Sequence, residues 1–340
     1  MLNRISISDA FVFFKTITLK KLFNGLLLRL SYLISKNFGV YIHWGKPESL
    51  SIEPTNLCNL KCPECPSGNN GLTRPLLFLD TNNFYSIINE VYNHLSYLQL
   101  FFQGEPFLHP KVYDFINFAA KKGIYTSTST NGHFLTPDNC NKIIKSGLHR
   151  IIISVDGTTQ EVYEKYRVGG NLNLVTSGIT NLINSKKKLK SRTPYVIMQF
   201  VVFGTNEHQI PDIKKLAKSL NVDKLQLKTA QIDDFKHGNP LIPKNKKYSR
   251  YIQAKNGIYK LNKKNNFKCW RIWNGAVITA DDNLLPCCFD KDAGYPYGNL
   301  KNSTIQSGWK GKNAQLFRKH VWGKNNDIDI CKNCSEGLKK

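Results

Sequence analysis

From residue 48 to about 228, segments with an apolar period of two alternate with segments whose apolar positions recur every three to four residues. The first kind predicts strands at 49–53, 97–102, 124–129, 150–155, 195–203 and 223–227. The second predicts helices at about 81–95, 111–122, 137–146, 159–166, 173–190 and 207–219. Capping residues precede several of them: Asp80-Thr81, Thr136-Pro137 and Thr205-Asn206-Glu207. Six β/α units imply a parallel sheet with helices on its outer face. A closed (β/α) barrel needs eight. The expected fold is therefore α/β, a partial (β/α)6 TIM-like barrel, with its ligand site at the C-terminal ends of the strands.

The flanks follow other patterns. Residues 1–47 form an N-terminal amphipathic extension, in which Leu19, Leu22, Phe23, Leu26, Leu27, Leu30, Leu33 and Ile34 make one helical stripe. Lys20, Lys21, Asn24, Ser31 and Lys36 lie mostly off it. Such a stripe serves either a helix lying on an anionic membrane, through residues 9–37, or one packing on its own core or on a second subunit. The second use is the commoner. Residues 229–268 are rich in Lys, Asn and Pro and read as a connector with one helix near 246–260. A cysteine-bearing module occupies 269–337, and no internal repeat is evident. No run approaches the ~18 apolar residues of a membrane span, and no secretory signal appears. The expected location is cytoplasmic, peripheral on the inner face of the membrane if the helix engages lipid.

Charge changes this picture little. The chain of 340 residues carries a formal net charge of +24, yet its lysines are scattered and no aromatic-basic ladder for base stacking is present. Nucleic acid is not the expected partner. Cysteine usage says more. Of nine cysteines, seven fall in two groups: Cys58, Cys62 and Cys65, then Cys269, Cys287, Cys331 and Cys334. In a reducing compartment, clustered cysteines point to metal or catalysis. Cys140 sits in a helical pattern and reads as core, and Cys288 as a spare thiol.

The C-x3-C-x2-C spacing of Cys58, Cys62 and Cys65 directly follows the first strand. A closed zinc site takes four ligands. Three thiolates on a [4Fe-4S] cube leave one iron open to a small molecule. Zinc completed by a histidine or by Cys140 is the alternative. Polar turns close the other strands: Gln103-Gly104-Glu105-Pro106, Ser129-Thr130-Asn131-Gly132, Ser154-Val155-Asp156-Gly157 and Gly204-Thr205-Asn206.

Together these motifs resemble those of the radical S-adenosylmethionine (SAM) enzymes, over roughly residues 48–228. Gly104-Glu105-Pro106 is similar to the family's GGEP motif, and Ser129-Thr130-Asn131-Gly132 and Ser154-Val155-Asp156-Gly157 to its "TNG" and "S-x-D-G" loops. The resemblance implies that SAM chelates the open iron of a [4Fe-4S] cluster. The backbone of Gly104, Glu105 and Pro106 would meet the SAM amino group. Asn131 and Ser154 would lie near the ribose or methionine carboxylate, with Arg167 paired to that carboxylate. Two residues depart from the pattern. Gln103 replaces the first glycine, and Glu64 stands where an aromatic often stacks on adenine, which moves adenine contacts toward Val202 or Phe203. The frame Cys269-Trp270, Pro286-Cys287-Cys288, Cys331-Lys332-Asn333-Cys334 resembles the SPASM domain, which carries auxiliary iron–sulfur clusters. It lacks the longer cysteine series of two-cluster members, so one auxiliary [4Fe-4S] cluster on Cys269, Cys287, Cys331 and Cys334 is implied, with zinc as the alternative there. Asp290 reads equally as a proton acceptor beside that cluster and as a loop carboxylate.

The implied reaction is reductive cleavage of SAM to a 5′-deoxyadenosyl radical, which takes a hydrogen from a substrate. A flavodoxin or ferredoxin would supply the electron. The substrate is a small molecule or envelope precursor, or else a peptide. The competing reading is a basic nucleic-acid-binding protein with structural zinc sites.

Overall fold

The computed structural model describes residues 7–262, 268–324, 327–334 and 336. Two helices come first, α1 (Ile7–Lys15) and α2 (Leu19–Phe38). The barrel follows as β1 (Ser49–Ile52), α3 (Thr81–Val91), β2 (Tyr97–Gln99), α4 (Val112–Lys121), β3 (Tyr125–Thr130), α5 (Pro137–Lys145), β4 (Arg150–Ser154), α6 (Gln160–Glu164), α7 (Leu172–Lys188), β5 (Tyr195–Val202), α8 (Ile210–Ser219) and β6 (Lys224–Thr229). Its six strands pair parallel in sequence order, Ser49 opposite Tyr97 and Ile197 opposite Lys224 marking the two ends. Local chemistry explains the starts. Asp80 accepts from the amides of Asn82 and Asn83, and Thr136 from that of Asn139. The expected cap at Asn206 does not form. Its side chain instead ties Phe203 to Asp156 and Val201, and the segment enters α8 through a 3₁₀ turn at Glu207–Gln209. Each helix buries one stripe, as Phe84, Ile87, Ile88 and Val91 do on α3, where Phe84 stacks on Phe115 of α4 at 4.0 Å.

After the barrel come β7 (Tyr251–Gln253), β8 (Tyr259–Leu261), α9 (Arg271–Asn274), β9 (Gly275–Ile278), β10 (Asn283–Leu285), β11 (Gly298–Asn299), α10 (Ile305–Lys310), α11 (Lys312–Lys324) and α12 (Asp329–Lys332). The helix expected near 246–260 is absent; β7 and β8 form an antiparallel hairpin there. The cause is the Asn256-Gly257 turn, with Gly257 at φ +82°, a conformation suited to hairpins and not to helices. The late cysteine module is joined to the barrel by backbone. β9 pairs parallel with β1, and β10 and β11 extend the sheet antiparallel, giving the order β11-β10-β9-β1-β2-β3-β4-β5-β6.

The N-terminal helices correct the expectation about the apolar stripe. α2 does pack on the chain's own body, but by its polar and small residues. Lys21, Asn24, Leu28, Ser31 and Ser35 are buried, whereas Leu19, Leu22 and Phe23 are 84%, 62% and 62% exposed. Specific hydrogen bonds explain the inversion. Asn24 exchanges two bonds with the backbone of Lys46, Lys21 Nζ donates to the Gly123 carbonyl before β3, and Trp273 Nε1 donates to Ser31 Oγ. Those bonds satisfy groups that would otherwise be costly to bury. α1 closes the floor of the barrel. Its Asp9 carboxylate pairs with Arg150 and accepts from the Tyr125 hydroxyl, at the first residues of β4 and β3.

Candidate active site

The loop from Cys58 to Cys65 curls at the C-terminal end of β1, and all three thiols line one cavity of about 120 Å³. Two glycines make room for it. A Cβ on Gly68 would stand 2.6 Å from the Cys62 nitrogen. Gly104, at φ +71°, presses its backbone against the Thr55 and Leu57 carbonyls, where a Cβ would collide 2.6 Å from the latter. Among the described residues, no histidine and no fourth cysteine lines this cavity. Cys140 is buried on α5, its thiol beside the Gly178 carbonyl. The donor set therefore fits a cluster held by three thiolates and does not fit zinc completed by Cys140.

The same cavity is lined by Gly104, Glu105, Asn131, Ser154 and Arg167, so the ends of β2, β3 and β4 and the turn after α6 meet at the cysteines. Pro106 does not line it; it starts the 3₁₀ turn Pro106–Leu108 behind it. Glu105 is fully buried, and its carboxylate is engaged by the ends of β2 and β3. It accepts from Phe107 N at 3.2 Å, Thr130 Oγ1 at 2.8 Å and Asn131 N at 2.8 Å. Burial pushes its pKa up to about 7, against the pull of those bonds. Its work is to lock the β2 and β3 loops together. Asn131 is oriented by Asn59, to which its Nδ2 donates at 2.7 Å.

Arg167 is not a free fork. Its Nε and Nη2 hold Asp156 at 2.7 and 2.6 Å, and its Nη1 lies 3.8 Å from the Cys62 sulfur. Burial raises the Cys62 pKa, and the Arg167 charge pulls it back toward the thiolate that a metal requires. Val202 and Phe203 do not line the cavity. Phe203 is buried against Tyr166, ring centroids 4.0 Å apart. Glu64 accepts from Asp233 N at 2.9 Å and so ties the cysteine loop to the connector.

Phe101 and Phe102 form a wall shared with a second cavity of about 450 Å³ that occupies the barrel interior down to Asp9. Its far side adjoins a third cavity lined by Cys287, Cys288 and Arg271. The Cys287 thiol is buried and pushed up by that burial, then by Cys288, Cys269 and Cys334 nearby. Cys331 belongs to the same turn as Cys334, whose amide donates to its carbonyl at 3.3 Å. Cys269, Cys287 and Cys334 are thus neighbours, from the segment before α9, the loop after β10 and the turn after α12, and Cys331 is tied to them through Cys334. Cys288 lies aside, 3.5 Å from Arg271 Nη1. Asp290 gives both oxygens to backbone, Gly294 N at 2.7 Å and Tyr295 N at 2.9 Å, and so serves its loop.

One functional cluster escaped the sequence reading. Glu53, wholly buried at the end of β1, binds Arg74 Nη1 at 2.9 Å and Nη2 at 3.1 Å. It also accepts from Gln103 N and Ala280 N, while Arg74 reaches Asp281 at 3.0 Å. This network fastens the cysteine loop to the late module. Its signal was a carboxylate at the end of a strand of alternating serines and aliphatics, just before Pro54.

A family model for the radical SAM superfamily matches residues 52–217, and one for an iron-sulfur cluster-binding domain, SPASM, matches residues 269–335. The tungsten-containing aldehyde ferredoxin oxidoreductase cofactor-modifying protein of Pyrococcus furiosus is 23% identical over 326 residues, 84% of this chain and 86% of that protein. The PqqA peptide cyclase of Rhodopseudomonas palustris is 26% identical over 200 residues, 58% of this chain and 51% of that protein, so the match spans about half its length. Among solved structures, BtrN in complex with AdoMet and 2-DOIA is similar at a TM-score of 0.54 and 18% identity, over 87% of this chain and 95% of that one. At that identity the likeness is one of fold.

Proposed function

The chain belongs to the radical SAM superfamily and carries a C-terminal SPASM domain, and on that premise we propose how its own residues divide the work of a SAM-cleaving enzyme. The observation that carries the reading is the convergence of Cys58, Cys62, Cys65, Asn131, Ser154 and Arg167 on one cavity that adjoins the barrel interior. Cys58, Cys62 and Cys65 would hold a [4Fe-4S] cluster to which SAM binds. When bound, this pair supplies a one-electron cleavage of the sulfonium and a carbon radical that removes a hydrogen from substrate.

The chain's contributions are position and exclusion. The backbone of Gly104 and Glu105 would meet the SAM amino group, with Pro106 set behind it, and Glu105 holds that backbone in register with Asn131. Asn131 and Ser154 bind the ribose or carboxylate end. Arg167 holds Asp156, favours the thiolate of Cys62 and presents its remaining guanidinium edge to the SAM carboxylate. Phe101 and Phe102 border the junction where the cofactor and substrate cavities meet, and α1 shuts the barrel floor, which limits water access to the site. Cys269, Cys287, Cys331 and Cys334 hold one auxiliary cluster on the far side of the substrate cavity. A flavodoxin or ferredoxin-type protein delivers the electron. A cavity of about 450 Å³ suits a small molecule or envelope precursor better than a folded peptide. The family assignment takes the place of the zinc-stapled nucleic-acid alternative. After anaerobic reconstitution, the protein should carry about eight iron atoms, two cubes of four, and SAM should perturb the spin-resonance spectrum of the reduced protein. A colourless zinc protein whose spectra ignore SAM would contradict the reading.

α2 adds a place of work. Its outward face shows Leu22, Phe23, Leu26, Leu30 and Leu33, beside the exposed Lys20, Arg29 and Lys36. No helix among the described residues is long and apolar enough to cross a membrane. An apolar face bordered by cations is suited to lie on an anionic leaflet, so the protein works as a peripheral cytoplasmic-face enzyme. Flotation with phosphatidylglycerol vesicles tests this. Wild type should float and a Leu22→Glu/Leu26→Glu variant should not, since both side chains point outward. Equal flotation would remove the membrane from the account.

A further inference from the structure

The barrel interior is walled by more cations than anions. From β6, Lys224, Gln226 and Lys228 line the substrate cavity, while Leu225 and Leu227 on the alternate face pack against the core. The period of two along a strand dictates this split, so the basic ladder is built into the barrel wall. Arg271 lines the cavity from α9, and Arg150 from β4. Among the lining residues Asp9 is the one carboxylate, and it is already engaged by Arg150 and Tyr125. Glu336 holds Arg271 at 2.7 Å from the adjoining cavity. Lys224 and Lys228 are left with no carboxylate within salt-bridge reach among the described residues.

Lys228 is the more telling of the two. It stands at the C-terminal end of β6, level with the SAM-side wall, and its exposed surface opens into the cavity. Burial first, then the Arg271 and Arg250 charges, pull its pKa down, with Cys288 acting the other way. Lys228 is open to the cavity and not enclosed, but an ammonium beside other cations and without a carboxylate partner is electrostatically unfavourable, and an anionic ligand in the cavity offsets that cost.

We propose that the substrate is an anion, and that its phosphate- or carboxylate-class group is held by Lys228 backed by Arg271, with the carbon to be attacked directed toward Phe101 and Phe102. This rests on the SAM-cleaving reading and names the substrate class of the same site. Lys228 is a binding residue here, with no part in SAM cleavage.

The test uses the reconstituted holoenzyme with SAM, titrated calorimetrically with inorganic pyrophosphate and, separately, with citrate. Wild type should bind at least one of them saturably. Lys228→Gln should weaken that binding at least about tenfold, Lys228→Arg should restore most of it, and the surface control Lys215→Gln should leave it unchanged. Pyrophosphate binding alone identifies the phosphate class; citrate binding alone identifies the carboxylate class. Substrate-free formation of 5′-deoxyadenosine, measured on the wild type and on the surface control Lys215→Gln, should be equal in the two. It also separates the two readings, because its absence from wild type would fault SAM cleavage and not the anion site. No saturable binding, an unchanged affinity in Lys228→Gln, or equal weakening by Lys215→Gln would each overturn the proposal.

Discussion

Cys58, Cys62 and Cys65 come from eight consecutive residues, whereas Cys269, Cys287 and the Cys331/Cys334 pair come from segments far apart in sequence. The early group is shaped by its own loop, by the glycines at 68 and 104 that let backbone approach it, and by polar strand ends that surround it. The late group exists only because β9 joins the edge of β1 and β10 folds back on β9, which brings the Cys287 thiol to Cys269 and Cys334. The early site faces a cavity and keeps two of its thiols partly open. In the late set Cys269, Cys287 and Cys334 are all buried. A site on a cavity rim suits exchange of SAM, and a site set in tertiary structure suits a cluster that stays. Glu53 and Arg74 couple the two.

This contrast can be broken by substitution. The largest effect is expected from Cys331→Ala, which should remove one whole cluster, a loss of about four iron atoms per chain, while the early cluster and SAM cleavage persist. Unchanged iron would mean that the late cysteines hold something else. Next comes Arg74→Met. It leaves Glu53 buried without its ion partner, and thermal or denaturant unfolding should show a loss of about 3–5 kcal/mol. A loss under about 1 kcal/mol would mean that the two regions are not fastened there. Gly104→Ala should cost about 1–3 kcal/mol for left-handed backbone alone, with the collision against the Thr55 and Leu57 carbonyls added to it, and it should weaken SAM binding while leaving the late cluster intact. The smallest effect is expected of Cys288→Ala, which should keep its full iron content where Cys287→Ala does not. Loss of iron on removing Cys288 would exchange the two roles.

What the sequence made legible follows the same division. All six barrel strands and the helices between them are where periodicity placed them, because each buries a stripe fixed by local spacing. Three thiols in one short loop are likewise a local pattern. The hairpin at β7 and β8 was legible too, through Asn256-Gly257, but a Lys-rich composition hid it. Two features were not local. The extension of the sheet by β9 depends on an edge that only the assembled barrel offers. The inverted docking of α2 depends on where the Lys46 backbone, the Gly123 carbonyl and Trp273 await its polar residues. An amphipathic pattern gives two faces and does not say which one the rest of the chain will satisfy. For Arg167 the family resemblance suggested a ligand for a carboxylate, and the fold supplies Asp156 first.

The central claim is that the loop of Cys58, Cys62 and Cys65 is the place where SAM is cleaved. The most direct test is to measure 5′-deoxyadenosine by mass spectrometry after incubating anaerobically reconstituted, chemically reduced protein with SAM. Wild type should form it, and Cys58→Ala, which removes one of only three anchors, should fall to background with its late cluster retained. Deoxyadenosine formed equally by Cys58→Ala, or none formed by the iron-replete wild type, would contradict the account.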